Sequence, residues 1–167
     1  MSEPFVAIVM GSDSDLPVME ASFDVLRKFG VRFEVRITSA HRTPEETKAF
    51  IKEAEERGCA VFIAAAGMAA HLAGAVSATT VKPVIGVPMN ASLDGLDALL
   101  STVQMPAGIP VATVAIGKAG AKNAAYLATQ ILSVANPQLA QQLRDEREAN
   151  AQDIAAKNAA LQEKLKG

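Results

Sequence analysis

An open α/β fold with a parallel, doubly wound sheet is the fold class that this sequence predicts, on three observations. The 167 residues suffice for one domain with a sizeable core but are short for two. Five apolar runs alternate with helix-like segments, and most of these runs are continuously apolar, as strands covered on both faces are. The connections between them are short, so a β-α-β-α-β order closes into a parallel, flavodoxin-like sheet.

Taken in order, the first strand is expected over Phe5–Met10. Leu16, Met19, Phe23, Leu26 and Phe29 then recur at three- and four-residue steps, the apolar face of a helix that Gly30 can end. A second strand falls at Phe33–Ile37. The run Thr43-Pro44-Glu45-Glu46 marks the next helix start: Thr43 can cap, Pro44 suits the first turn, and Glu46 closes a capping box. That helix extends to about Arg57, before Gly58. Further strands are expected at Ala60–Ala65, Val84–Val87 and Val111–Ile116.

Beyond Pro137 a long C-terminal helix (137–165) is expected. Its apolar positions Leu139, Leu143, Ile154, Leu161 and Leu165 form a stripe too thin to make a core of its own. Such a helix covers its own sheet or lies across a neighbouring subunit. The second is the expectation, because the helix continues well past the last strand. No repeat or linker divides the chain, so residues 1–167 are read as a single domain.

Composition narrows the function classes. Half of the residues are hydrophobic but only 4% are aromatic, so the core must come from Ala, Val, Ile and Leu. A net charge of −2 gives no electrostatic reason to expect nucleic acid or an anionic membrane as partner. The single cysteine, Cys59, has no internal disulfide partner and precedes a strongly apolar strand, which suits a buried structural thiol. Met1-Ser2-Glu3-Pro4 lacks the basic and apolar regions of a signal peptide, and no apolar run is long enough to span a bilayer. A soluble, cytoplasmic protein is expected.

Open α/β sheets bind ligands beyond the carboxyl ends of their strands, and three loops there carry chemistry. In Gly11-Ser12-Asp13-Ser14-Asp15 the hydroxyls can donate to oxyanions at a helix amino terminus. Asp15 either caps the following helix or accepts hydrogen bonds from a ribose diol. The lysine-bearing pattern of a Walker A loop is absent. In Ser39-Ala40-His41-Arg42-Thr43-Pro44, His41 can exchange a proton near neutral pH, and Arg42 offers a fixed fork for a phosphate.

The third loop, Gly67-Met68-Ala69-Ala70-His71, has little side-chain bulk and exposes backbone amides. His71 is either a structural histidine at a helix start or a second acid/base group. Two histidines without clustered Cys or carboxylates make a poor ligand set, so no metal is expected. Gln104-Met105-Pro106-Ala107-Gly108-Ile109-Pro110 is stiff and leads into the fifth strand. It begins at the opposite edge of the sheet, so it reaches an active site only in a neighbouring subunit or by a long excursion.

These motifs resemble the class I PurE family, the 5-(carboxyamino)imidazole ribonucleotide mutases of purine biosynthesis. The resemblance rests on Met10-Gly11-Ser12-Asp13-Ser14-Asp15, Ser39 to Pro44, Gly67-Met68-Ala69-Ala70-His71-Leu72 and Val103-Gln104-Met105-Pro106. Gly108 to Gly117 and Asn123-Ala124-Ala125 also fit, and the likeness runs from about Val6 to about Leu132. It implies a three-layer flavodoxin-like sandwich with a five-stranded parallel sheet, assembled as a homo-octamer. It further implies transfer of a carboxylate from the exocyclic nitrogen to ring carbon 4 of a ribonucleotide, without metal or organic cofactor. His41 matches the proton-carrying histidine, Ser12 and Asp15 match substrate contacts, and Arg42 matches a phosphate contact. Ser14, Ser39 and the Gly67, Met68 and Ala70 amides are further expected contacts. Many members have Gly-Gly where this chain has Gly67-Met68, and others carry Met there.

Three rivals fit less well. The class II enzyme, which carboxylates aminoimidazole ribonucleotide directly, usually has Lys where this chain has Arg42. A receiver-like signalling module needs an aspartate after the third strand, where this chain has Ala64-Ala65-Ala66-Gly67. A flavin module needs stacking aromatics, but the chain has no Trp, and its one Tyr, Tyr126, falls in a helix.

Overall fold

The computed structural model describes residues 3–167. It divides into two units, Met1–Ile131 and Leu132–Gly167. In the first, β1 (Phe5–Met10), β2 (Phe33–Ile37), β3 (Cys59–Ala66), β4 (Val84–Pro88) and β5 (Ala112–Thr113) form a sheet that is parallel throughout. Its order, β2-β1-β3-β4-β5, is the flavodoxin-like one expected. The intervening helices are α1 (Leu16–Lys28), α2 (Pro44–Glu56), α3 (Leu72–Ser77) and α4 (Leu96–Val103), followed by α5 (Lys118–Ser133).

The continuous apolarity of β1 and β3 has a direct cause. Each is central, flanked by a strand on both sides, and successive residues face opposite layers. Phe5, Ala7 and Val9 of β1 join Phe62 and Ala64 of β3 in one buried cluster. Phe50, Ile51 and Ala54 of α2 and Leu72, Ala73 and Val76 of α3 complete it. In the other layer, α1 and α5 meet closely enough for the Ser22 hydroxyl to donate to the Ala121 carbonyl. The Phe29 and Tyr126 rings meet edge-on at 5.8 Å beside that contact. The buried Ala121, Ala124, Ala125 and Ala128 of α5 permit this approach in a core short of aromatics.

One element, β5, differs from expectation. β5 keeps only Ala112–Thr113 of the six residues expected. Val114 and Gly117 still donate to the Gly86 and Pro88 carbonyls, at 3.1 and 2.9 Å, so the chain follows β4 without a full ladder. The backbone at Ala115 is occupied by the start of α5, where Gly120 stands so close to the Ala115 carbonyl that a Cβ would collide with it. β2 is a half-exposed edge strand, tied to the end of α2 by the paired Arg57–Glu34 contacts at 2.6 and 2.8 Å. Charges along such an edge discourage pairing with another chain.

The second unit contains α6 (Pro137–Leu165), the long helix expected. Asn136 caps it by accepting from the Leu139 N–H at 3.1 Å, and the Asp153–Lys157 pair at i,i+4 supports its exposed length. Leu139 and Leu143 are buried, whereas Ile154, Leu161 and Leu165 are exposed. No helix among the described residues is long and apolar enough to cross a membrane.

Candidate active site

The first three β-to-α loops meet at the carboxyl edge of the sheet. After β1, Ser12 caps a single 3₁₀ turn, Asp13–Asp15, by accepting from the Ser14 N–H at 3.2 Å. The Ser14 hydroxyl lies 2.9 Å from the Ser12 hydroxyl, so both face the same space. Asp15 does not cap α1. It occupies the cap position with helical backbone (φ −80°, ψ −17°) and makes no capping bond, a geometry that directs the side chain away from the first-turn amides. Burial pushes its carboxyl above the usual aspartate range; a Ser12 backbone N–H opposes this, and the Asp13 charge adds to it.

After β2, the loop is locked by its own hydroxyls. Ser39 Oγ accepts from the Arg42 N–H at 3.0 Å. Thr43 Oγ1 accepts from the Ser39 N–H at 2.9 Å and lies 3.2 Å from the Ser39 carbonyl. The expected capping box therefore does not form: the Thr43 hydroxyl turns back into the loop and makes no cap bond to α2. Thr38 and Thr47 fill the space beneath with further hydroxyl contacts. Arg42 reaches across to the first loop, where Nη2 donates to the Gly11 carbonyl at 3.3 Å.

After β3, Gly67 passes so near the chain following β4 that a Cβ would lie 2.9 Å from the Ala91 Cβ. Met68 is left-handed (φ 57°) and 61% exposed. The Ala70 N–H donates to Ser101 Oγ of α4 at 2.9 Å, and the same oxygen is 3.2 Å from the Met68 carbonyl. His71 stands at the cap position of α3 but does not cap it. Its Nδ1 lies 2.6 Å from Nε2 of His41, with the ring planes at 90°.

These loops enclose a cleft of about 500 Å³. His41, Ser12, Ser14, Asp15, Ser39, Arg42, Gly67 and Met68 all line it, as does His71. Ala70 does not: it is buried behind the wall, with its amide held by Ser101. Ser101 was not foreseen, since a serine inside a helical apolar pattern carries no signal of what its hydroxyl meets. The cleft brings one guanidinium, one carboxylate, two imidazoles and three serine hydroxyls into a volume suited to a small molecule. Among the described residues no three His, Cys, Asp or Glu side chains cluster as metal ligands would.

Comparison with known proteins gives a consistent relationship. The family model described as AIR carboxylase matches residues 5–153, reaching into α6 and beyond the Leu132 limit of the recognisable motifs. A Pyrococcus horikoshii protein named N5-carboxyaminoimidazole ribonucleotide mutase is 57% identical over 143 residues, covering 85% of this chain and 80% of its own. A Thermotoga maritima protein of the same name is 50% identical over 161 residues, covering 96% of this chain and 93% of its own. The crystal structure of Treponema denticola PurE superposes with a TM-score of 0.86 at 34% identity, over 95% of this chain and 99% of that one. The chain belongs to the AIR carboxylase family, among its PurE mutases.

Proposed function

We propose that this protein converts N5-carboxyaminoimidazole ribonucleotide to 4-carboxy-5-aminoimidazole ribonucleotide, with His41 as the acid and base. The observation that carries the reading is the position of His41 in one cleft with Arg42, Asp15 and the Ser12 and Ser14 hydroxyls. Arg42 and the hydroxyls suit a phosphate, and Asp15 suits a ribose diol. Ser39 has its oxygen engaged by Arg42, which leaves its proton for the substrate. The Gly67 and Met68 backbone faces the carboxylated heterocycle, and Ala70 supports that wall from behind.

Protonated His41 gives its proton to the exocyclic nitrogen as the bond to the carboxylate breaks. The electron pair stays on nitrogen, and neutral carbon dioxide is released into the cleft. Carbon 4 then attacks the carbon dioxide, and the new carbon–carbon bond leaves a surplus proton on carbon 4. Neutral His41 removes that proton, which restores both the aromatic ring and its own starting state. The chemistry consumes no net proton and calls on no metal or organic cofactor.

Retention of carbon dioxide requires a dry enclosure, and a neighbouring subunit supplies the remaining wall. Exposed Leu96, Leu100 and Val103, at i, i+4 and i+7 of α4, suit burial against another copy. The sparse stripe of α6 likewise suits packing on a neighbour, in the homo-octamer that the family resemblance implies. The enzyme works in the cytoplasm on a small ribonucleotide, with no nucleic acid or membrane partner.

The reading is tested by offering purified protein N5-carboxyaminoimidazole ribonucleotide without bicarbonate, and aminoimidazole ribonucleotide with bicarbonate. Fast formation of the carbon-4 carboxylate from the first, and slow formation from the second, is expected. Preference for the second would make the protein a direct carboxylase.

A further inference from the structure

We propose that Ser101 of α4 is a positioning residue that clamps the third loop shut over the released carbon dioxide. The inference rests on the mutase reading above and concerns a residue outside the cleft wall. Its oxygen has one proton and two lone pairs to distribute. It accepts the Ala70 N–H at 2.9 Å. Its proton is anchored within α4 toward the Asp97 carbonyl at 2.7 Å, with the Ala98 carbonyl of the same helix and the Met68 carbonyl of the loop, each at 3.2 Å, as alternative acceptors. The oxygen thus meets the loop on both sides of Ala69, a residue that lines the cleft.

The adjacent Thr102 provides the contrast. Its hydroxyl bonds only back to the Ala98 carbonyl, at 2.7 Å, the local bond common for a helical Ser or Thr. Ser101 makes that kind of bond and reaches a different loop as well. The loop needs holding, because Met68 has a side chain yet sits at φ 57°. Such a conformation persists where the surroundings impose it. One residue beyond Ala70 comes His71, whose ring contacts His41. Slack at Ala70 therefore loosens both the wall beside the reacting carbon and the histidine pair. The hydrogen bonds of Ser101 go to the third loop and to α4, so the groups assigned to the phosphate on the first two loops stay in place.

The test compares wild type, Ser101→Ala and Ser101→Thr. Alanine is the better helix former, so the fold is kept, and threonine retains the oxygen. Each protein receives N5-carboxyaminoimidazole ribonucleotide, and both the carbon-4 carboxylate and free aminoimidazole ribonucleotide are counted above a protein-free control. Ser101→Ala is expected to lower kcat about 10–100-fold with KM little changed, as a loosened wall misplaces the reacting groups. It should also divert substrate into free aminoimidazole ribonucleotide, and Ser101→Thr should restore both rate and partition. Wild-type rate and partition in Ser101→Ala, or a slower rate with no diversion, would overturn the proposal. Amide hydrogen exchange supplies a readout independent of turnover: Ala70 should exchange faster in Ser101→Ala, and unchanged protection would also overturn the clamp. If wild type forms no carbon-4 carboxylate, the mutase reading falls and the exchange comparison still decides whether Ser101 holds the loop.

Discussion

His41 Nε2 and His71 Nδ1 lie 2.6 Å apart, which joins the only two histidines of the chain across two different loops. At that distance one facing nitrogen donates and the other accepts, so the pair shares a single proton along the contact. His71 meets His41 through its ring and makes no capping bond to α3.

His41→Asn should keep the fold and substrate binding but lose about 10²–10⁴ in kcat, the range of general acid–base catalysis. His71→Ala should lose less. Because the two rings act as a unit, the double variant should fall no further than His41→Asn alone. Steady-state rates of the three variants check this, and a His41→Asn enzyme of near wild-type rate would exclude His41 as proton carrier.

Arg42→Ala should act on binding. Loss of one charge-assisted contact to phosphate costs about 1.5–3 kcal/mol, which corresponds to a roughly 10–150-fold weaker Kd. Calorimetric titration with aminoimidazole ribonucleotide measures it, and unchanged affinity would reject the phosphate assignment.

Asp15→Asn should stabilise the folded protein at neutral pH while weakening substrate binding. The Asp15 carboxyl lies above its ordinary value mainly through burial. Its folded state therefore binds a proton more readily than the unfolded state, and stability falls as pH rises through the raised value. Asparagine carries no such loss. The Tm advantage of the variant should be largest at neutral pH and shrink as pH drops below the usual aspartate range. An advantage that grows in acid would contradict the sign.

Cys59 should be chemically silent. It is buried, and that burial pushes its thiol up to about 11, so little thiolate exists at neutral pH. A thiol reagent should label the native protein only as fast as it unfolds, with activity unchanged until then. Rapid labelling of the folded protein would contradict the buried assignment.

Much of this was legible in the sequence for identifiable reasons. Phe5–Met10 is apolar on both faces because β1 is central, and Gly30 and Gly58 end α1 and α2 in left-handed backbone (φ 67° and 100°). His41 and Arg42 were readable because a proline-marked helix start fixes them on a strand-to-helix loop. The cap expected of Thr43 does not form because residue type gives propensity, whereas the competing donor, here the Ser39 N–H, is set by how the loop closes. β5 was overextended because apolarity does not reveal that α5 occupies the backbone at Ala115. Ser101 and the approach of His71 to His41 join segments about thirty residues apart, and no local pattern encodes them.

Carboxylate transfer that is completed inside the His41 cleft keeps the substrate's own carboxylate carbon. The most direct measurement supplies N5-carboxyaminoimidazole ribonucleotide, carrying ¹³C in its carboxylate, to the enzyme in unlabelled bicarbonate and reads the label in the product. Retention of the ¹³C at carbon 4 by wild type, with the rate collapsing in His41→Asn, is the predicted result. A product carboxylate equilibrated with the bicarbonate pool would contradict it.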